Sequence, residues 1–325
     1  MRLADFDEVL VYAIPMPARF RGIDVREGML LRGPLGWGEF CPFDDYDDAV
    51  AAVWMAAAVE ATHTGWPAPV RDRVEVNCIV PAVEPEQAAE RVRRSGCRTV
   101  KVKVAHESGI AADVERVAAV RDALGPTGAI RVDANGAWGV EEAAANLRLL
   151  DRAAGGLQYA EQPCATYDEM KVLHGRTSVP LAADELIRRA VDPFDARARD
   201  VADVAIIKAT PLGGVRRGLA VAESTGLACV VSSALETSVG LAAQLRLAGA
   251  LPTLDHACGL DTLSLFASDV VATGSSRSAG GVIAVPERAP SPDPALLERL
   301  RATPERERWW RERAERALAQ ADRSA

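Results

Sequence analysis

A closed parallel (β/α) barrel, preceded by a small α+β unit, is the fold this sequence predicts. Three observations predict it. Short apolar or β-branched runs alternate with helical stretches from about residue 74 onward. Five of those runs end on polar islands: Lys101-Val102-Lys103, Asp133-Ala134-Asn135, Glu161-Gln162-Pro163, Asp184-Glu185 and Lys208. From Lys103 through Asp133, Glu161 and Asp184 to Lys208 the steps are 30, 28, 23 and 24 residues. A strand, a helix and two short loops consume about that much chain. Polar residues at the C-terminal ends of consecutive strands are what the mouth of such a barrel presents.

The α+β unit occupies residues 1–75. Residues 8–14 alternate as a strand, and 28–33 and 36–40 supply two more around Gly33-Pro34-Leu35-Gly36. Residues 47–62 form an Ala-rich helix opened by acids that suit its N-terminal dipole. Arg19 and Arg21 are expected in a loop of this unit that could close over the barrel mouth. Gly65-Trp66-Pro67-Ala68-Pro69 marks a linker.

The barrel takes residues 76–262. Its strands are expected at 74–80, 99–104, 130–133, 157–161, 179–183, 204–208, 228–232 and, weakly, 253–257. Helices are expected at 86–95, 113–124, 140–153, 166–176, 194–199, 213–225 and 238–250. No G-x-G-x-x-G follows the first strand, which disfavours a dinucleotide-binding open sheet. Beyond residue 262 alternation stops. Residues 274–294 are Gly/Ser/Pro-rich, and 304–323 form a charged helix whose Trp309, Trp310, Ala314 and Leu318 stripe is expected to pack back on the rest. The C-terminal segment is therefore 263–325.

Composition narrows the function. Apolar residues make up 49% and charged residues 26% of 325, ordinary for a globular protein. A net charge of −8 argues against nucleic acid or an anionic membrane as partner. No run is long and uncharged enough for a membrane helix, and the acids near Met1 interrupt any signal sequence. A cytoplasmic address follows as the expectation, and oligomeric state is left open, a monomer being compatible. Six scattered cysteines without a C-x-x-C pair read as reduced thiols rather than a zinc or disulfide framework. His106 is expected on a surface loop rather than in the pocket.

Side chains alternate along a strand, so Lys101 and Lys103 share the inward face. Two buried ammonium groups are costly unless anions lie nearby. Asp133, Glu161 and Asp184, at the next three strand ends, supply them. Three carboxylates without histidine or cysteine suit a hard octahedral cation: Mg2+, for which Mn2+ can substitute. A cation gripping a substrate carboxylate acidifies the α-proton beside it. Lys103 and Lys208, on strands two and six, stand on opposite sides of the mouth and put an amine on each face of that substrate. A lysine acts as base only in its neutral form, which a nearby cation and a second ammonium both favour.

These motifs resemble those of the enolase superfamily, specifically its muconate-lactonizing-enzyme-like branch, over essentially the whole chain. The resemblance implies a modified (β/α)7β-type TIM barrel with an α+β N-terminal capping domain completed by the C-terminal segment. It implies that Asp133, Glu161 and Asp184 bind Mg2+ and that Lys103 and Lys208 are the acid/base pair. Within the branch, residues 131–138, 232–240 and 19–28 look most like o-succinylbenzoate synthases of the actinobacterial type. That likeness implies a lyase of menaquinone biosynthesis, dehydrating 2-succinyl-6-hydroxy-2,4-cyclohexadiene-1-carboxylate to 2-succinylbenzoate. Lys103 would remove the α-proton and then protonate the departing hydroxyl on the same face, with Lys208 stabilising the enediolate from the other.

Lys101, Asn135 and Glu185 read as supports that orient the ligands and Lys103. Ser232, Ser233 and Arg21 are candidates for substrate contact. Other readings share or lack the machinery, a muconate cycloisomerase among those that share it. An N-acylamino acid racemase or dipeptide epimerase uses the same two lysines, although Asp255-His256-Ala257 lacks the Asp-x-Asp that such epimerases carry at the eighth strand. A catalytically inactive barrel acting as a binding protein would be expected to have lost a ligand or a lysine, and all five are present.

Overall fold

The computed structural model describes residues 1–272 and 276–324, so residues 273–275 of the Gly/Ser/Pro-rich stretch lie outside the described residues. The N-terminal sheet has the order β1 (Glu8–Phe20), β2 (Ile23–Gly33), β3 (Gly36–Phe40), antiparallel throughout. β1 and β2 are longer than their alternation suggests. The loop expected to carry Arg19 and Arg21 is instead the tip of their hairpin, turned by Arg21 and Gly22 at φ 52° and 78°. Two consecutive positive φ values make the tight two-residue turn whose twist matches paired strands. Its arms carry Pro15, Pro17 and charged residues, which hid the strand pattern from a reading of periodicity.

Seven parallel strands follow in unbroken order: β5 (Cys78–Val80), β6 (Thr99–Lys103), β7 (Ala129–Asp133), β8 (Tyr159–Glu161), β9 (Leu181–Ala183), β10 (Val204–Ile207) and β11 (Ala228–Val231). The run expected at 74–80 divides. Its first part, β4 (Arg73–Glu75), pairs outside the barrel with β12 (Val282–Ala284). The eighth strand expected at 253–257 does not form there. Immediately after it, Cys258 bridges to Val76 and Gly259 to Ser232, both in parallel sense. Asn77 N donates to Cys258 O at 2.9 Å and Gly259 N to Val231 O at 2.8 Å, so this stub joins both edges. A Cβ on Gly259 would sit 2.7 Å from Ser232 Oγ, which is why glycine stands at the seam.

Val100 and Val102 face the helices and are wholly buried, while Lys101 and Lys103 point inward, as strand alternation requires. The helix expected at 194–199 is only a 3₁₀ turn, Ala196–Asp200, begun by Asp195 accepting from Arg197 N at 3.0 Å. Asp192-Pro193 ahead of it leaves too little chain for a longer element.

The C-terminal helix Pro304–Ser324 packs on the helix Asp48–Val59 and on the sheet. Trp310 is fully buried, and its Nε1 donates to Glu27 at 3.0 Å. Arg313 Nη2 donates to Phe43 O and Tyr46 O, both at 2.7 Å, fixing the segment that follows β3. The sheet grips the barrel as well: Glu39 accepts from Thr237 N at 3.1 Å, and Arg26 Nε donates to Leu235 O at 2.8 Å. No described helix is long and apolar enough to cross a membrane. All six cysteines are free thiols.

Candidate active site

The polar islands meet at one end of the barrel. β6, β7 and β8 run in register, Lys103 opposite Asp133 and Asp133 opposite Glu161, so their last side chains share one level. A cavity of about 850 Å³ opens above them, roofed by the hairpin tip and the segment after β3. Lys101, Lys103, Asp133, Asn135, Asp184, Glu185 and Lys208 line it, as do Arg21, Ser232 and Ser233. His106 lines it too, contrary to its expected place on a surface loop, because the chain turns sharply after β6.

Asp133, Glu161 and Asp184 are each about 1% exposed. Lys101 Nζ lies between the first two, 3.0 Å from Asp133 Oδ2 and 2.7 Å from Glu161 Oε1. Lys103 Nζ donates to Asp133 Oδ2 at 2.5 Å and to Asn135 Oδ1 at 2.8 Å. Lys208 Nζ donates to Asp184 Oδ2 at 2.6 Å. Asn135 also steadies Asp133 through its backbone N–H and reaches Glu185 Oε1 at 3.3 Å. β6 and β10 are separated by three strands, so Lys103 and Lys208 flank the acids from two sides.

Charge sets the protonation of the trio. Burial works to raise the Asp133 carboxyl, but Lys101 and Lys103 outweigh it and hold it well below the usual range. Burial is likewise outweighed at Asp184, which Lys208 and Arg188 hold at about 2. Glu161 is pushed up to about 7, by burial first and then by Asp133. Lys101 is raised, because Asp133 and Glu161 outweigh its burial.

The donor set fits a hard cation. Among the described residues, no three acidic, thiol or imidazole groups converge on one point at ligand distance, since amines stand between the acids. Yet Glu161 Oε2 and Glu185 Oε2 are buried with no hydrogen-bond partner. An unpaired oxygen on the Glu161 carboxyl, already raised by burial and then by Asp133, is a place that a divalent ion would satisfy.

Several participants carried no motif. Arg188 donates to Asp184 Oδ1 at 3.0 Å, Glu185 Oε1 at 2.7 Å and Tyr46 OH at 3.1 Å. Its spacing of four from Asp184 was the available signal. Gln162 Oε1 accepts from Asp184 N at 3.0 Å and Leu186 N at 3.2 Å, fixing the turn that presents the third acid. Behind Lys103, Asp113 and Arg116 form a buried ion pair at 2.7 Å. Arg116 donates to Val83 O and Lys103 O, and Asp113 accepts from Ala105 N, where φ is 64°.

Ser233 is brought to the cavity but has no hydrogen-bonding capacity left. Its hydroxyl donates to Glu236 Oε2 at 2.6 Å and accepts from Leu235 N and Thr262 Oγ1. The backbone N–H groups of 232–235 are equally committed, to Ile207 O, Gly259 O, Glu236 and Ser233 Oγ. Ser232 keeps only a long contact, 3.4 Å to Gly259 O.

Comparison with known proteins meets this geometry. An Enolase C-terminal domain-like family model matches residues 84–290, and an Enolase N-terminal domain-like model matches 11–62. The chain is 59% identical over 260 residues to an o-succinylbenzoate synthase of Thermobifida fusca, covering 80% of this chain and 81% of that one. The chain belongs to the o-succinylbenzoate synthase family of the enolase superfamily. Another member of that synthase family, from Mycobacterium bovis, is 48% identical over 309 residues, covering 94% of this chain and 92% of its own. Solved enolase-superfamily structures share the fold. The L-Ala-D/L-Glu epimerase of Bacillus subtilis matches with a TM-score of 0.71 at 24% identity, covering 86% of this chain and 95% of its own. The muconate lactonizing enzyme of Pseudomonas putida matches with 0.72 at 18%, covering 91% and 99%.

Proposed function

We propose that this chain is an o-succinylbenzoate synthase, a hydro-lyase that converts 2-succinyl-6-hydroxy-2,4-cyclohexadiene-1-carboxylate to 2-succinylbenzoate and water. The observation that carries the reading is the pair of amines, Lys103 and Lys208, on two sides of three buried acids at one barrel end. The 48–59% identity to synthases of that name supports the same substrate. Mg2+, or Mn2+ in its place, would be held by Asp133, Glu161 and Asp184. When bound, that ion supplies a Lewis acid beside the substrate carboxylate.

The chain's own residues do the rest. Lys103 Nζ, as the amine, takes the α-proton, and the electron pair of that C–H bond passes into the ring. The C–O bond to the hydroxyl breaks, and the Lys103 ammonium returns its proton to the departing oxygen as water. Lys208 stays protonated on the far face and balances the negative charge that builds up as the proton leaves. Lys101, Asn135 and Glu185 hold the acids and Lys103 in place. Lys101 does so by neutralising Asp133 and Glu161 together, which two adjacent buried carboxylates need.

The test follows absorbance as the cyclohexadiene aromatises. Lys103→Ala is expected to abolish dehydration with magnesium affinity intact; appreciable residual turnover would remove Lys103 from its role. A racemase or epimerase is the second reading, favoured by the shared lysine pair and the epimerase fold match. The stub that replaces the eighth strand, Cys258–Gly259, is followed by Leu260-Asp261-Thr262 and likewise carries no Asp-x-Asp. N-acyl amino acids assayed beside the cyclohexadiene decide between the two.

A further inference from the structure

Four arginines ring the roofed side of the cavity: Arg19 and Arg21 at the hairpin tip, Arg188 and Arg189 on the turn after β9. Arg188 is committed to Asp184 and Glu185. Among the described residues no carboxylate lies within ion-pairing reach of Arg21 or Arg189. What these guanidinium groups surround is a phenol. Tyr46 OH accepts from Arg21 Nη2 at 2.7 Å and from Arg188 Nη1 at 3.1 Å, and the Arg189 guanidinium carbon lies 5.8 Å from its ring centre. A phenol oxygen that accepts twice still has its own proton to donate. Cations gathered on a neutral group repel one another unless an anion joins them.

We propose that Tyr46, Arg21 and Arg189 seat a second carboxylate of the substrate, one carried on a short acyl arm, while the first lies by the three acids. The proposal rests on the dicarboxylate reading above. Three observations carry it. The N–H groups of 232–235 and the Ser233 hydroxyl are committed, which leaves the weakly held Ser232 hydroxyl as that stretch's remaining donor, too little by itself for a carboxylate. Arg188 bridges the two places: one edge of its rigid guanidinium is 3.0 Å from Asp184 Oδ1 and another 3.1 Å from Tyr46 OH. Through that planar group the two sites lie within about 8 Å, a span a succinyl arm covers. The seat is also preorganised. Arg313 holds the Tyr46 carbonyl at 2.7 Å, the Tyr46 ring meets Phe43 and Trp54 edge-on, and Arg21 stacks on Phe43 with 3.7 Å to the ring centre.

The seat is tested by calorimetric titration of the magnesium-loaded protein with 2-succinylbenzoate and with 2-butyrylbenzoate, which carries a methyl group in place of the arm's carboxylate. The intact protein is expected to prefer the dicarboxylate by at least about tenfold, the scale of hydrogen bonds to a charged group. Tyr46→Phe should cut that ratio several-fold, and Arg21→Met with Arg189→Met should bring it near one. Binding of 2-butyrylbenzoate should hardly change. Equal losses for both probes, an unchanged ratio in the double variant, or a ratio abolished instead by Ser232→Ala would each overturn the seat. A protein that keeps the ratio but does not turn over the cyclohexadiene fails the dehydration reading and retains the seat.

Discussion

At Glu161 one carboxylate oxygen meets Lys101 while the other, buried, meets nothing, and the group is pushed up to about 7 by burial and Asp133. Asp184, three strands along the barrel wall from Lys103, is balanced from both sides by Lys208 and Arg188. Asp184→Asn should therefore weaken magnesium binding at least about tenfold and lower turnover with it, as titration calorimetry and the absorbance assay will read. Unchanged magnesium affinity would take Asp184 out of the ligand set. A different acid sets a pH dependence of folding. Burial raises Asp261 to about 6, against the pull of Arg277 and Arg91. Its folded value lies above the unfolded one, so between roughly pH 4 and 6 the native state holds a proton that the unfolded chain has released. Stability due to this group falls as pH rises through that window. Asp261→Asn should flatten the Tm-against-pH curve there and raise Tm at pH 7; a curve parallel to the parent's would refute the assignment.

The side chains proposed to be catalytic are presented by elements whose ends are fixed from behind. β6 is the clearest case, because Ala105 leaves it in a left-handed conformation that a residue with a Cβ adopts at a cost of about 1 kcal/mol. The buried Asp113–Arg116 pair holds that turn through Ala105 N and Lys103 O. Asp113→Ala strands the Arg116 charge and is expected to cost about 3 kcal/mol or more in urea unfolding. Turnover should drop with it, even at temperatures where the variant is folded. The islands were legible along the chain because strand ends repeat at the length of one β/α unit. The clamps were not, since Asp113 and Arg116 read as an ordinary charged pair on a helix until tertiary packing buries them.

Across the whole molecule the cap, the barrel and the C-terminal helix share one set of contacts. Glu39 and Arg26 of the N-terminal sheet position the loop after β11, and Arg313 of the last helix positions Tyr46. Trp310, wholly enclosed between that helix and the sheet, should cost about 3–5 kcal/mol when truncated to alanine. Because the same helix braces the cavity roof, Trp310→Ala should also raise KM in the folded fraction, while the Lys103 chemistry, and hence kcat, changes less. A fall in kcat at constant KM would show that the helix does not act through the roof.

The order of strands and helices, the inward lysines and the run of acids are local facts, written in hydrophobic period and in the spacing of one repeating unit. Those the sequence determined by itself. The long hairpin with its Arg21-Gly22 turn, the two-residue stub that seals the barrel at Cys258 and Gly259, and the Tyr46–Arg188 bridge were decided only in three dimensions. The stub and the bridge depend on partners far apart along the chain, where neither period nor spacing leaves a trace, while the hairpin's period is broken by Pro15, Pro17 and charged residues.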